Sequence, residues 1–145
     1  MNAYQELKRK HDKEFAGFPM FFAFSNEQFE EGMAKFGLTK FDINQIYKFG
    51  HTGGFYLRTD SERLHEMLTR FEKEIQDAID ADATGEGFIL EMFDCELGDH
   101  EYCYTHDTTS ALDALDLTLE DIKKDWRLQH GLKLAMKRQR EREEA

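Results

Sequence analysis

Apolar positions recur every three or four residues along most of the chain, and this spacing predicts helices separated by short glycine-marked breaks. Over residues 2–15, Tyr4, Leu7 and Phe15 are the few apolar positions of a charged helix that Gly17 and Pro19 end. Phe18 to Phe24 (FPMFFAF) is a continuous apolar run, equally suited to a buried strand and to an extended core-lining segment. Ser25, with Gln28 three residues on, is a capping-box pattern. Phe29, Met33 and Phe36 give the helix that follows one apolar face, up to a left-handed stop at Gly37.

A weaker helical stretch is expected over 42–49, a tight turn at Gly53-Gly54, and a second short strand over 55–58. The clearest helix spans 62–81, where Leu64, Leu68, Phe71, Ile75 and Ile79 form a stripe. Phe88, Ile89, Met92, Phe93 and Leu97 define the next amphipathic helix, with Glu91, Asp94 and Glu96 assigned to its outer face. A loop over 98–107, a short helix over 110–117 and a Thr118-capped turn lead to a last helix over 125–143. Its apolar residues stop at Met136, so residues 137–145 are expected to fray as a charged tail. The pattern gives a mainly α fold of about five to seven helices, with room for a short two-stranded β element. No linker or repeat divides it, so residues 1–145 are expected to form a single domain.

Composition supports a folded chain with a charged surface: 40% hydrophobic and 34% charged residues, thirteen Phe and one Pro. The net charge of −11 is unevenly spread. Residues 60–116 hold seventeen Asp/Glu against three Lys/Arg, while the flanking stretches are close to neutral. No apolar run reaches the roughly 18 residues of a membrane span. The polar first residues are unlike a signal peptide, and Cys95 and Cys103 are expected to be reduced thiols of a cytoplasmic protein.

Candidate chemistry gathers at GDHEYCYTHD, Gly98 to Asp107. The C-x4-H-x2-C-x2-H spacing of Cys95, His100, Cys103 and His106 is not a usual zinc spacing, so no metal and no cofactor are assigned. His100 or His106 beside Asp99, Glu101 and Asp107 could work as an acid–base pair, and Cys103 with either His as a nucleophilic dyad. The bland alternative is an exposed polar loop. Gly53-Gly54 lacks the Lys-Ser/Thr of a phosphate loop. The Phe cluster over 15–36 reads as core, since it lacks the interleaved cations of a base-stacking platform. With a dominant negative field, direct nucleic-acid binding is not expected. Carboxylates on successive helical turns lie about 5–6 Å apart, similar to the charge spacing of a nucleic-acid backbone. Glu62, Glu66, Asp77, Asp80, Glu91, Asp94, Asp99 and Glu101 are therefore the candidate partner-binding set, with His100, Tyr102 and Cys103 as a motif loop.

Three stretches, FPMFFAFSNEQFEEG (Phe18 to Gly32), GHTGGF (Gly50 to Phe55) and GDHEYCYTHDTTSALDALDLT (Gly98 to Thr118), resemble a family of small uncharacterised proteins of gut bacteria and their phages. His100, Glu101, Tyr102 and Cys103 fit the family pattern, Cys95 and His106 fall outside it, and Asp116 stands where Gly is expected. The resemblance implies a phage or mobile-element setting. Joined to the acidic segment, it suggests a non-enzymatic binding protein, an anti-defence inhibitor occupying the basic nucleic-acid-binding surface of a host protein. The alternative is a small hydrolase or metal-dependent enzyme using His100, Glu101 and Cys103.

Overall fold

The computed structural model describes residues 1–144. The chain is mainly α-helical, with eight α-helices and one three-stranded antiparallel sheet among the described residues. Its contacts fall into two compact units, residues 12–72 and a larger one built from residues 1–11 with the chain from Lys73 onward. Helices α1 (Ala3–Ala16) and α3 (Ser61–Ala81) are continuous and contribute residues to both.

In the smaller unit, β1 (Phe21–Phe22), β3 (Gly54–Leu57) and β2 (Ile46–Phe49) lie in that spatial order. Phe21 pairs with Phe55, and Tyr47 with Tyr56. Helix α2 (Asn26–Lys35) begins at Ser25, whose hydroxyl accepts the Gln28 N–H at 3.2 Å. The Gln28 side chain reaches back to the Phe24 N–H at 2.7 Å, one residue beyond the cap itself. Phe21, Met33 and Ile46 are buried together, with Phe29, Phe36, Phe55 and Leu57 packed around them.

Three expectations change here. Residues 42–49 are not a helix: a 3-10 turn over Ile43–Gln45 leads into β2. The β-branched and aromatic residues Ile46, Tyr47 and Phe49 suit a pleated strand, and β3 across the turn satisfies its backbone. The β element thus has three strands and not two. The Phe cluster is also only partly core, because Phe22 and Phe24 stay 49% and 77% exposed. Phe24 lies over Gly53, whose φ of +82° and missing Cβ leave room for the ring.

In the larger unit, α4 (Phe88–Asp99) is the centre. Ile89, Leu90, Met92, Phe93 and Leu97 are all buried, together with Ile79, Leu112, Leu128, Leu132 and Ala135. Around it lie α5 (Tyr102–Thr105), α6 (Thr109–Ala114), α7 (Leu119–Lys124) and α8 (Trp126–Glu144). The Thr118–Asp121 capping box starts α7, with bonds of 2.9 and 3.2 Å. Asp116, where the family pattern suggested Gly, has a φ of +55° just past α6. Helix α8 extends through Glu144 and so includes residues 137–144 of the charged tail, while Ala145 lies outside the described residues. Gln139 is buried and Arg142 is tied to α4, so polar contacts hold what apolar contacts do not.

Candidate functional site

The chain from Glu74 to Ile122 contains fifteen Asp/Glu and no Lys or Arg. The Lys and Arg partners of the carboxylates on α4 come from α1 and α8. Asp94 Oδ1 and Oδ2 accept from the two terminal nitrogens of Arg142 at 3.0 and 2.9 Å. The Gln139 amide donates to Asp94 Oδ1 at 2.8 Å. Glu91 is bonded to Asn2 at 3.0 Å and to Arg138 at 3.2 Å. Glu96 accepts from Tyr4 at 2.5 Å and from Lys8 at 2.9 Å, and His100 lies 3.5 Å from its other oxygen.

These contacts correct the outer-face assignment of Asp94 and Glu96. Both are buried, at 8% and 3% exposure, because α4 has neighbours on nearly every side. A buried carboxylate is tolerated only when its oxygens are satisfied, and here they are. Burial by itself would raise the Glu96 carboxyl, but the Tyr4 and Lys8 hydrogen bonds and the charges of Lys8 and His100 outweigh it, holding the group below its ordinary range. Burial, followed by the hydrogen bond to Glu96, pushes the Tyr4 phenol above its own. Glu91 and Asp94 thus bridge α4 to α8 within the larger unit, Asp94 buried and Glu91 half-buried.

Of the remaining candidates, Glu62 and Glu66 are exposed residues of the smaller unit. Asp77 and Asp80 belong to the larger one and are held within α3 by Lys73 and Gln76, each at 2.8 Å. The motif loop contains a helix that its polar composition did not predict. Helix α5 is only four residues long and is bracketed by two left-handed non-glycine residues, Glu101 at φ +57° and His106 at φ +55°. Together with Asp116 these are the three non-glycine positive-φ residues among those described. Within the bracket, Tyr102 is buried against the core and Cys103 half-buried, while Tyr104 is 80% exposed. Asp99, Glu101, Asp107, Asp113 and Asp116 lie on the exposed stretch around it in sequence.

The two histidines of this loop face carboxylates other than Asp99, Glu101 and Asp107. His100 turns to Glu96, four residues back, and not to Glu101. His106 lies 3.9 Å from Glu143. Burial, with the Asp99 and Glu96 carboxylates, pushes the Cys95 thiol up and away from the reactive thiolate. Among the described residues no group of three or more His, Cys, Asp or Glu is arranged to hold a metal ion. Periodicity marks Tyr4 only as an apolar position of α1 and does not single out Lys8, yet both are partners of Glu96. The available signal was the helical spacing of Tyr4, Lys8 and His11 on one face of α1. Tyr104 left no such signal, since Tyr102 and Tyr104, two residues apart in a short polar stretch, show no helical period.

No helix among the described residues is long and apolar enough to cross a membrane. No curated protein and no solved structure matches the chain. A family model described as a family of unknown function, DUF7659, matches residues 3–138, and the chain belongs to that family.

Proposed function

We propose that the chain is a non-enzymatic binding protein that engages a basic protein surface through the segment from Asp99 to Asp116, with Tyr104 as its anchor. The observation that carries this reading is the 80% exposure of Tyr104 on a helix bracketed by two left-handed non-glycine residues. Such backbone is costly, by about 1–3 kcal/mol per residue, and tends to be kept where a side chain must be presented. An exposed tyrosine with carboxylates nearby in the chain suits Lys or Arg: the ring face attracts the cation and the carboxylates pair with it. Asp77 and Asp80 would add a long-range field and no specific contact.

The finer picture is a phage or mobile-element inhibitor acting in the host cytoplasm on a nucleic-acid-binding protein. It rests on the family resemblance together with the acidic surface. The hydrolase alternative, built on His100, Glu101 and Cys103, has less support, since His100 is engaged with Glu96.

Affinity capture from bacterial host lysate at 0.1 and 0.5 M salt (about 10 and 4–5 Å of screening length) tests the reading. The expected result is a basic protein retained at low salt, released at high salt, and lost with Tyr104→Ala and with Glu101→Lys/Asp113→Lys. Retention at high salt by the charge-reversed protein would sink it.

A further inference from the structure

The smaller unit carries an open groove of about 920 Å³, lined by the C-terminal turn of α1 and by Arg63, Glu66, Met67 and Arg70 of α3. The spacing of three, four and seven residues places those four side chains on one face of the helix. Phe18 and Met67 supply its apolar lining, and both are half-buried. The Arg63 guanidinium sits 4.9 Å from the Phe18 ring centre and has only a loose 3.8 Å contact with Asp60. Lys13 has no carboxylate within 4 Å among the described residues, whereas Arg70 is paired with Glu14. In a chain of net charge −11, this groove therefore pairs an apolar lining with two cations that are not tightly committed.

From this geometry we propose that the groove binds an anionic single-chain amphiphile, a medium-chain fatty carboxylate. Its chain would lie on Phe18 and Met67, and its headgroup would meet Arg63 and Lys13. The volume is in the range of small-ligand sites, about 300–1,000 Å³. A carboxylate is the group that a planar guanidinium recognises in a bidentate manner. Glu66, on the same lining, opposes the headgroup and sets a second, opposite expectation. This site is independent of the Tyr104 reading and does not rest on it.

The test is a titration of the full chain with decanoate below its micelle concentration, followed by NMR of the Met67 methyl and Phe18 ring. Decanol and decyltrimethylammonium serve as controls, and circular dichroism confirms that each variant is folded. Saturable shifts at both residues are expected with decanoate. Lys13→Gln/Arg63→Gln should weaken binding about tenfold or more, the loss of charge-assisted hydrogen bonds. Glu66→Gln should tighten it by a factor of about two to five, the gain from removing one screened like charge. Equal binding of decanol, indifference to the Lys13/Arg63 variant, or an unmoved Met67 methyl would each overturn the proposal.

Discussion

The Tyr4 hydroxyl donates a 2.5 Å hydrogen bond to Glu96 Oε1, joining α1 to a carboxylate that is 3% exposed on α4. Lys8, one turn further along α1, donates to the same oxygen at 2.9 Å. The pair secures the first helix to the centre of the larger unit through polar atoms, beside the edge-on packing of Tyr4 on Phe88.

Replacing Tyr4 with Phe keeps the ring and removes the bond. Glu96 is held below its ordinary range, so its contribution to stability is complete above the unfolded carboxyl value near 4.3 and is lost as pH falls through the lower folded value. Without Tyr4 that folded value moves up. Tyr4→Phe should cost about 1–2 kcal/mol at pH 7 and should shift acid unfolding to higher pH. Urea titrations from pH 7 to 3 measure both. Parallel pH profiles for the two proteins would contradict the account.

Asp94 is the corresponding point for the end of α8. Asp94→Asn leaves Arg142 without its bidentate partner and should cost about 1–2 kcal/mol, discounted because Arg142 is itself well exposed. Amide exchange over residues 138–144 should accelerate while α4 stays protected. The exposed Asp77–Lys73 pair is the control, and Asp77→Asn should leave stability and exchange unchanged.

Gly131 lets α8 approach α4 closely. A Cβ there would lie 2.6 Å from Ile89 Cγ2 and 2.7 Å from the Gly85 carbonyl oxygen, and the second of these is backbone. Gly131→Ala should therefore destabilise by about 1–3 kcal/mol from overpacking, although alanine is the better helix former by about 1 kcal/mol. Chemical denaturation decides the sign, and a stabilised variant would show that the two helices are not this close.

Asp82 caps the start of α4 from the preceding loop. Its carboxylate accepts the N–H groups of Thr84, Gly85, Gly87 and Ile89 at 3.0–3.3 Å. Asp82→Ala should cost about 1–2 kcal/mol, a fall in Tm of roughly 3–8 °C for a chain of this size. Asp82→Asn, which keeps one acceptor oxygen, should recover part of it. An unchanged Tm in both variants would mean that the loop, and not the cap, sets where α4 begins.

Much of the helical plan was legible in the sequence, because periodicity and caps are local. The 3.6-residue stripe from Leu64 to Ile79, the Ser25 cap and the Thr118–Asp121 box all depend on residues within a few turns of one another. The strand at 46–49 was not legible, since its backbone partners lie in β3 and four residues are too few to show a period. For the candidate site, the sequence located the acidic segment and the HEYC stretch. It could not say which carboxylates face water.

Sequence alone determined the mainly helical class, the positions of most helix ends and the concentration of negative charge between residues 60 and 116. Tertiary structure alone decided what that charge does. Glu91, Asp94 and Glu96 meet their cations some forty to ninety residues away, on α1 and α8. An ion pair depends on distance in space, and a linear count of charges cannot contain it. The same holds for Tyr104, whose exposure follows from the packing of α5 and not from its neighbours in the chain.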